Sequence, residues 1–77
     1  MNAYLIKKYS LTKRESDILK NLVKGYTNPE IAKILNISTH TVKAYVGLLL
    51  NKFGASTRVG LAVFAVKESI LNDFEVE

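Results

Sequence analysis

The chain has 77 residues, 48% of them apolar, no cysteine and a formal net charge of +4. That length holds one domain, and the lack of cysteine excludes disulfides and thiolate metal sites as sources of stability. No apolar run approaches the roughly 18–20 residues that span a bilayer, and the N-terminus lacks the basic start and small-residue cleavage site of a signal peptide, so a cytoplasmic protein with no membrane partner is expected.

The charge is unevenly spread. Ten Lys and Arg face three acids through residue 58, and one faces four beyond it. A basic body with an acidic end suits a polyanion that meets one side of the molecule. Residues 1–10 read as an N-terminal extension, 11–72 as the folded domain and 73–77 as an acidic tail.

The first helix opens at Thr12, whose hydroxyl can cap the backbone while Glu15, three residues on, reaches back to the Thr12 amide. Ile18, Leu19 and Leu22 follow at helical spacing, and Gly25 ends the helix. Glu15 is a structural cap here rather than a catalytic acid. The second helix starts at Thr27-Asn28-Pro29-Glu30, with proline tolerated in the first turn and either Thr27 or Asn28 as the cap. Ile31, Ile34 and Leu35 supply its buried stripe, Ala32 permits a close crossing, and Asn36 takes the left-handed position that ends it. Ile37 plugs the turn and Ser38 caps the third helix. Helix, short turn, helix is a helix-turn-helix arrangement.

The third helix spans about Thr39 to Phe53. At ~100° per residue, Val42, Tyr45, Val46, Leu49, Leu50 and Phe53 share one face. His40, Ala44, Gly47, Leu48 and Asn51 point away, flanked by Lys43 and Lys52. The outward strip is slim and uncharged, and residues 36–58 contain no acid. Such a strip fits a groove about 12 Å wide. Gly54 closes the helix, and Ser56 or Thr57 opens a fourth that runs to about Leu71. That helix has two apolar faces. Val59, Ala62, Ala65, Val66 and Ile70 form the wider, assigned to the core; Leu61, Phe64 and Leu71 form a narrower stripe nearly opposite, interrupted by Glu68. Either the N-terminal segment (Tyr4, Leu5, Ile6, Tyr9) or a second copy of the chain covers the narrow stripe. A second copy is favoured, which makes Leu61, Phe64 and Leu71 the dimerisation residues.

The fold class expected is all-α, a four-helix bundle with a helix-turn-helix. Leu11 to Glu15, Gly25 to Ala32, Leu35 to Lys43, Lys52-Phe53-Gly54 and Thr57-Arg58 occur in order and correctly spaced, and together they resemble the LuxR-type (GerE-type) helix-turn-helix over about residues 11–70. The resemblance implies a transcriptional regulator, stand-alone or the output domain of a response regulator. It implies a third helix in the DNA major groove and a homodimer through the fourth. It places Lys43, Ala44 and Gly47 at base contacts, and Thr27, Asn28, Ser38, Thr39, Thr41, Lys52 and Arg58 at phosphate contacts. Double-stranded DNA and a second copy are the implied partners, and RNA polymerase is a further candidate. The chain departs from the family pattern at Tyr45, at Gly47, which cannot read a base by side chain, and at Gly60, which leaves the cap of the fourth helix without its acid. The alternative function is a protein-interaction module that keeps the fold, motivated by the apolar Ala44, Gly47 and Leu48. One histidine, no cysteine and no convergent carboxylate pair give no catalytic residue, no cofactor and no metal site to expect.

Overall fold

The structure, a computed structural model, describes residues 3–72 of the chain, with side chains placed as far as Ile70. Its elements in order are α1 (Ala3–Lys8), α2 (Lys13–Val23), α3 (Asn28–Leu35), α4 (Thr39–Phe53) and α5 (Arg58–Asn72), so the described residues are all-helical. Helices α2 to α5 are the four expected from the sequence. The fifth, α1, lies in the segment expected to be an extension.

Local chemistry starts the helices where the caps predict. Thr12 accepts from the Glu15 amide at 3.1 Å, and the Glu15 carboxylate accepts from the Thr12 amide at 2.8 Å. Thr27, rather than Asn28, caps α3 by the same reciprocal pair: its hydroxyl accepts from the Glu30 amide at 3.3 Å and its amide donates to Glu30 Oε1 at 2.8 Å. Ser38 accepts from the Thr41 amide at 3.0 Å, and Thr57 from the Gly60 amide at 3.0 Å.

The first four helices share one ending. Ser10, Gly25, Asn36 and Gly54 all have positive φ. Each lets the next amide reach a carbonyl five residues back: Leu11 to Ile6 at 2.9 Å, Tyr26 to Asn21 at 3.3 Å, Ile37 to Ala32 at 3.0 Å and Ala55 to Leu50 at 2.9 Å. This left-handed stop satisfies carbonyls that the helix leaves orphaned.

The core takes Ile18, Leu19 and Leu22 from α2, Ile31 and Ala32 from α3, Val42, Val46 and Leu49 from α4, and Leu61 and Ala65 from α5, with Leu5 and Leu11 beside them. Three expectations are corrected by this packing. Residues 3–10 are not an appendage, because Leu5 of α1 is fully buried. Ile34 is half exposed, since at ~100° per residue it lies about 160° around the helix from the buried Ala32.

The third correction concerns α5, where Ala65 is buried and Ala62 packs on the core as expected of the wider face, but other residues of the two faces change roles. Leu61 is 0% exposed and so cannot belong to a dimer seam, whereas Val59 at 72% and Ile70 at 68%, expected in the core, lie in solvent with Val63 and Val66. Phe64 is half-buried, its ring edge-on to Tyr9 at 6.4 Å and to Phe53 at 6.0 Å. The side chain of Leu71 and the acidic tail 73–77 lie outside the described residues. The physical reason is α1, formed by the N-terminal segment, the less favoured of the two covers. It packs against α5 with Leu5 buried, stacks Tyr9 on Phe53 at 4.1 Å with its ring 6.4 Å from Phe64, and brings Lys8 to 3.6 Å from Glu68, the residue that interrupts the narrow stripe.

A candidate nucleic-acid interface on the fourth helix

Helix α4 is anchored along one side by Val42, Val46 and Leu49, all buried, with Tyr45, Leu50 and Phe53 partly buried against the same core. The opposite side is open. His40, Lys43, Ala44, Gly47, Leu48 and Asn51 are all exposed, and Leu48 keeps 49% of its surface. With 15 residues α4 is about 22 Å long, enough to lie along a major groove. The three base-contact candidates Lys43, Ala44 and Gly47 therefore fall together on one accessible strip.

Gly47 has an ordinary helical backbone, and a Cβ added to it would meet nothing within 4 Å. Neither a turn nor internal packing requires glycine there, although glycine in a helix interior costs roughly 0.5–1 kcal/mol relative to alanine. The slimness of the strip is a property of the surface, not of the core.

The phosphate-contact candidates separate into three places. Ser38, Thr39 and Thr41 gather at the start of α4, where Ser38 Oγ also donates to Thr41 Oγ1 at 2.8 Å. Unpaired amides and the helix dipole make such a terminus attractive to anions. Thr27, Asn28 and Arg58 gather at the start of α3. The Arg58 guanidinium donates to Asn28 Oδ1 and, at 2.7 Å, to the Tyr26 carbonyl, tying the N-termini of α3 and α5 together.

Lys52 stands apart at the far end of α4, and its ammonium is turned inward. It donates to Glu15 Oε1 at 2.7 Å and to the Ser10 carbonyl at 2.9 Å. The Lys52 ammonium, and after it the Thr12 amide, hold the Glu15 carboxyl below the usual carboxylate range against the opposing effect of burial. Glu15 is thus a structural cap as expected, but its link to Lys52 has no sequence signature: the two are separated by 37 residues.

A second open surface lies on α5. Val59, Val63, Val66 and Ile70 recur at helical spacing, and all are exposed. Val63 and Val66, with Ala62, Lys67 and Val23 of α2, line a shallow groove. Among the described residues no group of three or more His, Cys, Asp or Glu could hold a metal ion, and no helix is long and apolar enough to cross a membrane.

Residues 9–65 match the family described as bacterial regulatory proteins, luxR family. Relatives by sequence include the uncharacterized transcriptional regulatory protein YhcZ of Bacillus subtilis, 45% identical over 64 residues that cover 83% of this chain and 30% of the relative. The nitrate/nitrite response regulator protein NarP of Escherichia coli is 40% identical over 58 residues, 75% of this chain and 27% of its own. The transcriptional regulatory protein LiaR of Bacillus subtilis is 41% identical over 63 residues, 82% of this chain and 30% of its own. The chain spans about 30% of the length of these curated relatives.

Proposed function

The chain belongs to the luxR family of bacterial regulatory proteins, and from that premise we propose that it is the sequence-specific DNA-binding part of a cytoplasmic transcriptional regulator, with α4 as the helix that enters the major groove. The observation that carries this reading is the outward strip of α4. It is slim, free of acids and cationic at Lys43, and it is borne on a helix whose other side is locked into the core. Lys43 donates to a base edge, and Ala44 and Gly47 offer close van der Waals contact, with thymine methyls as the fitting partners. Thr27, Asn28, Ser38, Thr39, Thr41 and Arg58 hold phosphates on either side of the groove, fixing register without reading sequence.

The regulator binds as a homodimer. The seam is the exposed stripe Val59, Val63, Val66 and Ile70 rather than Leu61 and Phe64, because a two-fold contact uses the same patch of both copies and only the former stripe is open. Two α4 helices paired this way must stand about 34 Å apart to reach successive turns of one DNA face. Response-regulator relatives such as NarP support the role of an output domain, and RNA polymerase is a fitting further partner for a transcriptional regulator.

The exposure of Leu48 beside Ala44 and Gly47 favours a second reading, a protein-interaction surface on the same strip. A salt titration of binding to a random-sequence duplex separates the two. Displacement of phosphate counterions gives an affinity that falls linearly, in logarithms, with salt. No binding to duplex DNA at about 50 mM salt would overturn the DNA reading and leave the apolar surface as the explanation.

A further inference from the structure

The C-terminal turn of α4 is fastened to a part of the molecule far from it in sequence. One carboxylate oxygen, Glu15 Oε1, accepts both the Thr12 amide at 2.8 Å and the Lys52 ammonium at 2.7 Å. The same ammonium donates at 2.9 Å to the carbonyl of Ser10, a non-glycine residue held at positive φ. One residue further along α4, Phe53 stacks on Tyr9 at 4.1 Å. The start of α2 and the turn before it therefore hold the end of the helix opposite to its Ser38 cap. Glu15 is only 4% exposed, so withdrawing Lys52 toward a phosphate would leave a buried carboxylate without its counterion, which is strongly unfavourable.

We infer that Glu15 and Lys52 are positioning residues for DNA reading: the pair sets the tilt at which α4 stands out from the domain, and Lys52 does not itself touch DNA. This rests on the reading that α4 binds DNA. The tilt matters because Lys43, Ala44 and Gly47 lie in the first half of α4 and Lys52 in its last turn, so any swing of the clamped end re-aims the whole strip. Reading by close apolar contact, with no long side chain at Gly47 to adapt, leaves little tolerance for a misplaced helix.

The test compares the wild type with Lys52→Met, Glu15→Gln and Lys52→Arg for binding to a duplex of about 20 base pairs, selected by the wild type from a random library, between about 50 and 200 mM salt, with the folded fraction followed by circular dichroism. Lys52→Met and Glu15→Gln are each expected to bind about three- to tenfold more weakly when folded. Their salt slope should equal that of the wild type, and the double variant should be no weaker than either single one. Lys52→Arg, which keeps a cation opposite Glu15, should recover most of the affinity. Glu15→Gln retains an acceptor for the Thr12 amide, so it preserves the α2 cap and carries the test if Lys52→Met does not fold. A direct phosphate contact predicts the opposite pattern: Lys52→Met lowers the salt slope by about 1, and Glu15→Gln, by freeing the ammonium, strengthens binding. Either result overturns the inference. A lower melting midpoint with unchanged affinity of the folded protein overturns it as well, by reducing the pair to stability alone. Failure of the wild type to bind any duplex would show first, in its own titration, and would remove the DNA reading itself.

Discussion

Helices α4 and α5 are of equal length, 15 residues each, and each turns one side to the core and one to solvent. Their outer sides differ in kind. That of α4 carries Lys43, His40 and Asn51 around Ala44, Gly47 and the exposed Leu48, with no acid from residue 36 to 58; that of α5 is led by three valines and an isoleucine, with Lys67 beside them. A cationic, slim strip suits a charged groove, whereas branched apolar side chains gain only by leaving water. Two helices that the core treats alike are thus separated by their solvent faces, and the proposed function gives DNA to the one and a second copy to the other.

The largest test of this contrast lies within α5. Leu61→Asp and Val63→Asp place the same charge two residues apart. Leu61→Asp puts an unpaired carboxylate where the native side chain is fully buried, at a cost of more than about 4 kcal/mol, and should leave the domain unfolded by circular dichroism. Val63→Asp should leave the melting midpoint within a few degrees of wild type while removing cooperative binding to a two-half-site duplex. Unfolding by Val63→Asp, or a stable Leu61→Asp, would reverse the assignment of the faces.

On α4 the corresponding change is Lys43→Ala. It should weaken binding to a selected duplex by about 1–3 kcal/mol, relax preference at one base pair and leave folding unaltered. Equal weakening on selected and random duplexes would make Lys43 a phosphate contact. Gly47→Ala sharpens the contrast further. The added methyl has open space around it and should stabilise the fold by roughly 0.5–1 kcal/mol, while reducing affinity because it thickens the strip that enters the groove. A variant both less stable and tighter in binding would show that Gly47 serves the core.

Much of this architecture was legible in the chain. The Thr12 and Ser38 caps, the stops at Gly25, Asn36 and Gly54, and the inward side of α4 all announce themselves within a few residues. Whatever depends on distant partners did not. Helix α1 has only six residues and ends on Ser10, a residue type that gives no left-handed signal. With α1 unseen as a helix, the N-terminal segment loses to a second copy as the cover of the narrow stripe, and Val59, Val66 and Ile70 look like core beside Ala62 and Ala65, which do pack there. The Glu15–Lys52 bond was hidden for the same reason: the capping pattern explains Glu15 completely within its own helix, so nothing local asks for a partner.

Smaller effects test the scaffold that holds the two faces. The Glu15 carboxyl is held below its usual range by Lys52 and the Thr12 amide, so its contribution is fully present above the unfolded-state value of about 4.3 and is lost as pH falls through the lower folded value. The urea midpoint should be flat from neutral pH to about 5 and fall below about 4.3, with a shallower fall in Glu15→Gln. An equal acid response in wild type and Glu15→Gln would assign the loss to other carboxylates. Thr27→Ala should cost about 1 kcal/mol through the α3 cap, and an unchanged melting curve would remove Thr27 from that role.

The central claim is that the outer side of α4, and not that of α5, faces DNA. Backbone amide shifts recorded by NMR as a duplex selected from a random library is titrated into the protein address it residue by residue. The account predicts the largest changes at Thr27, Asn28, at Ser38 through Ala44 and at Gly47, with changes at Val59, Val63, Val66 and Ile70 appearing only when the duplex carries two half-sites. Shifts centred on the α5 stripe with a single half-site, and a silent α4, would contradict it.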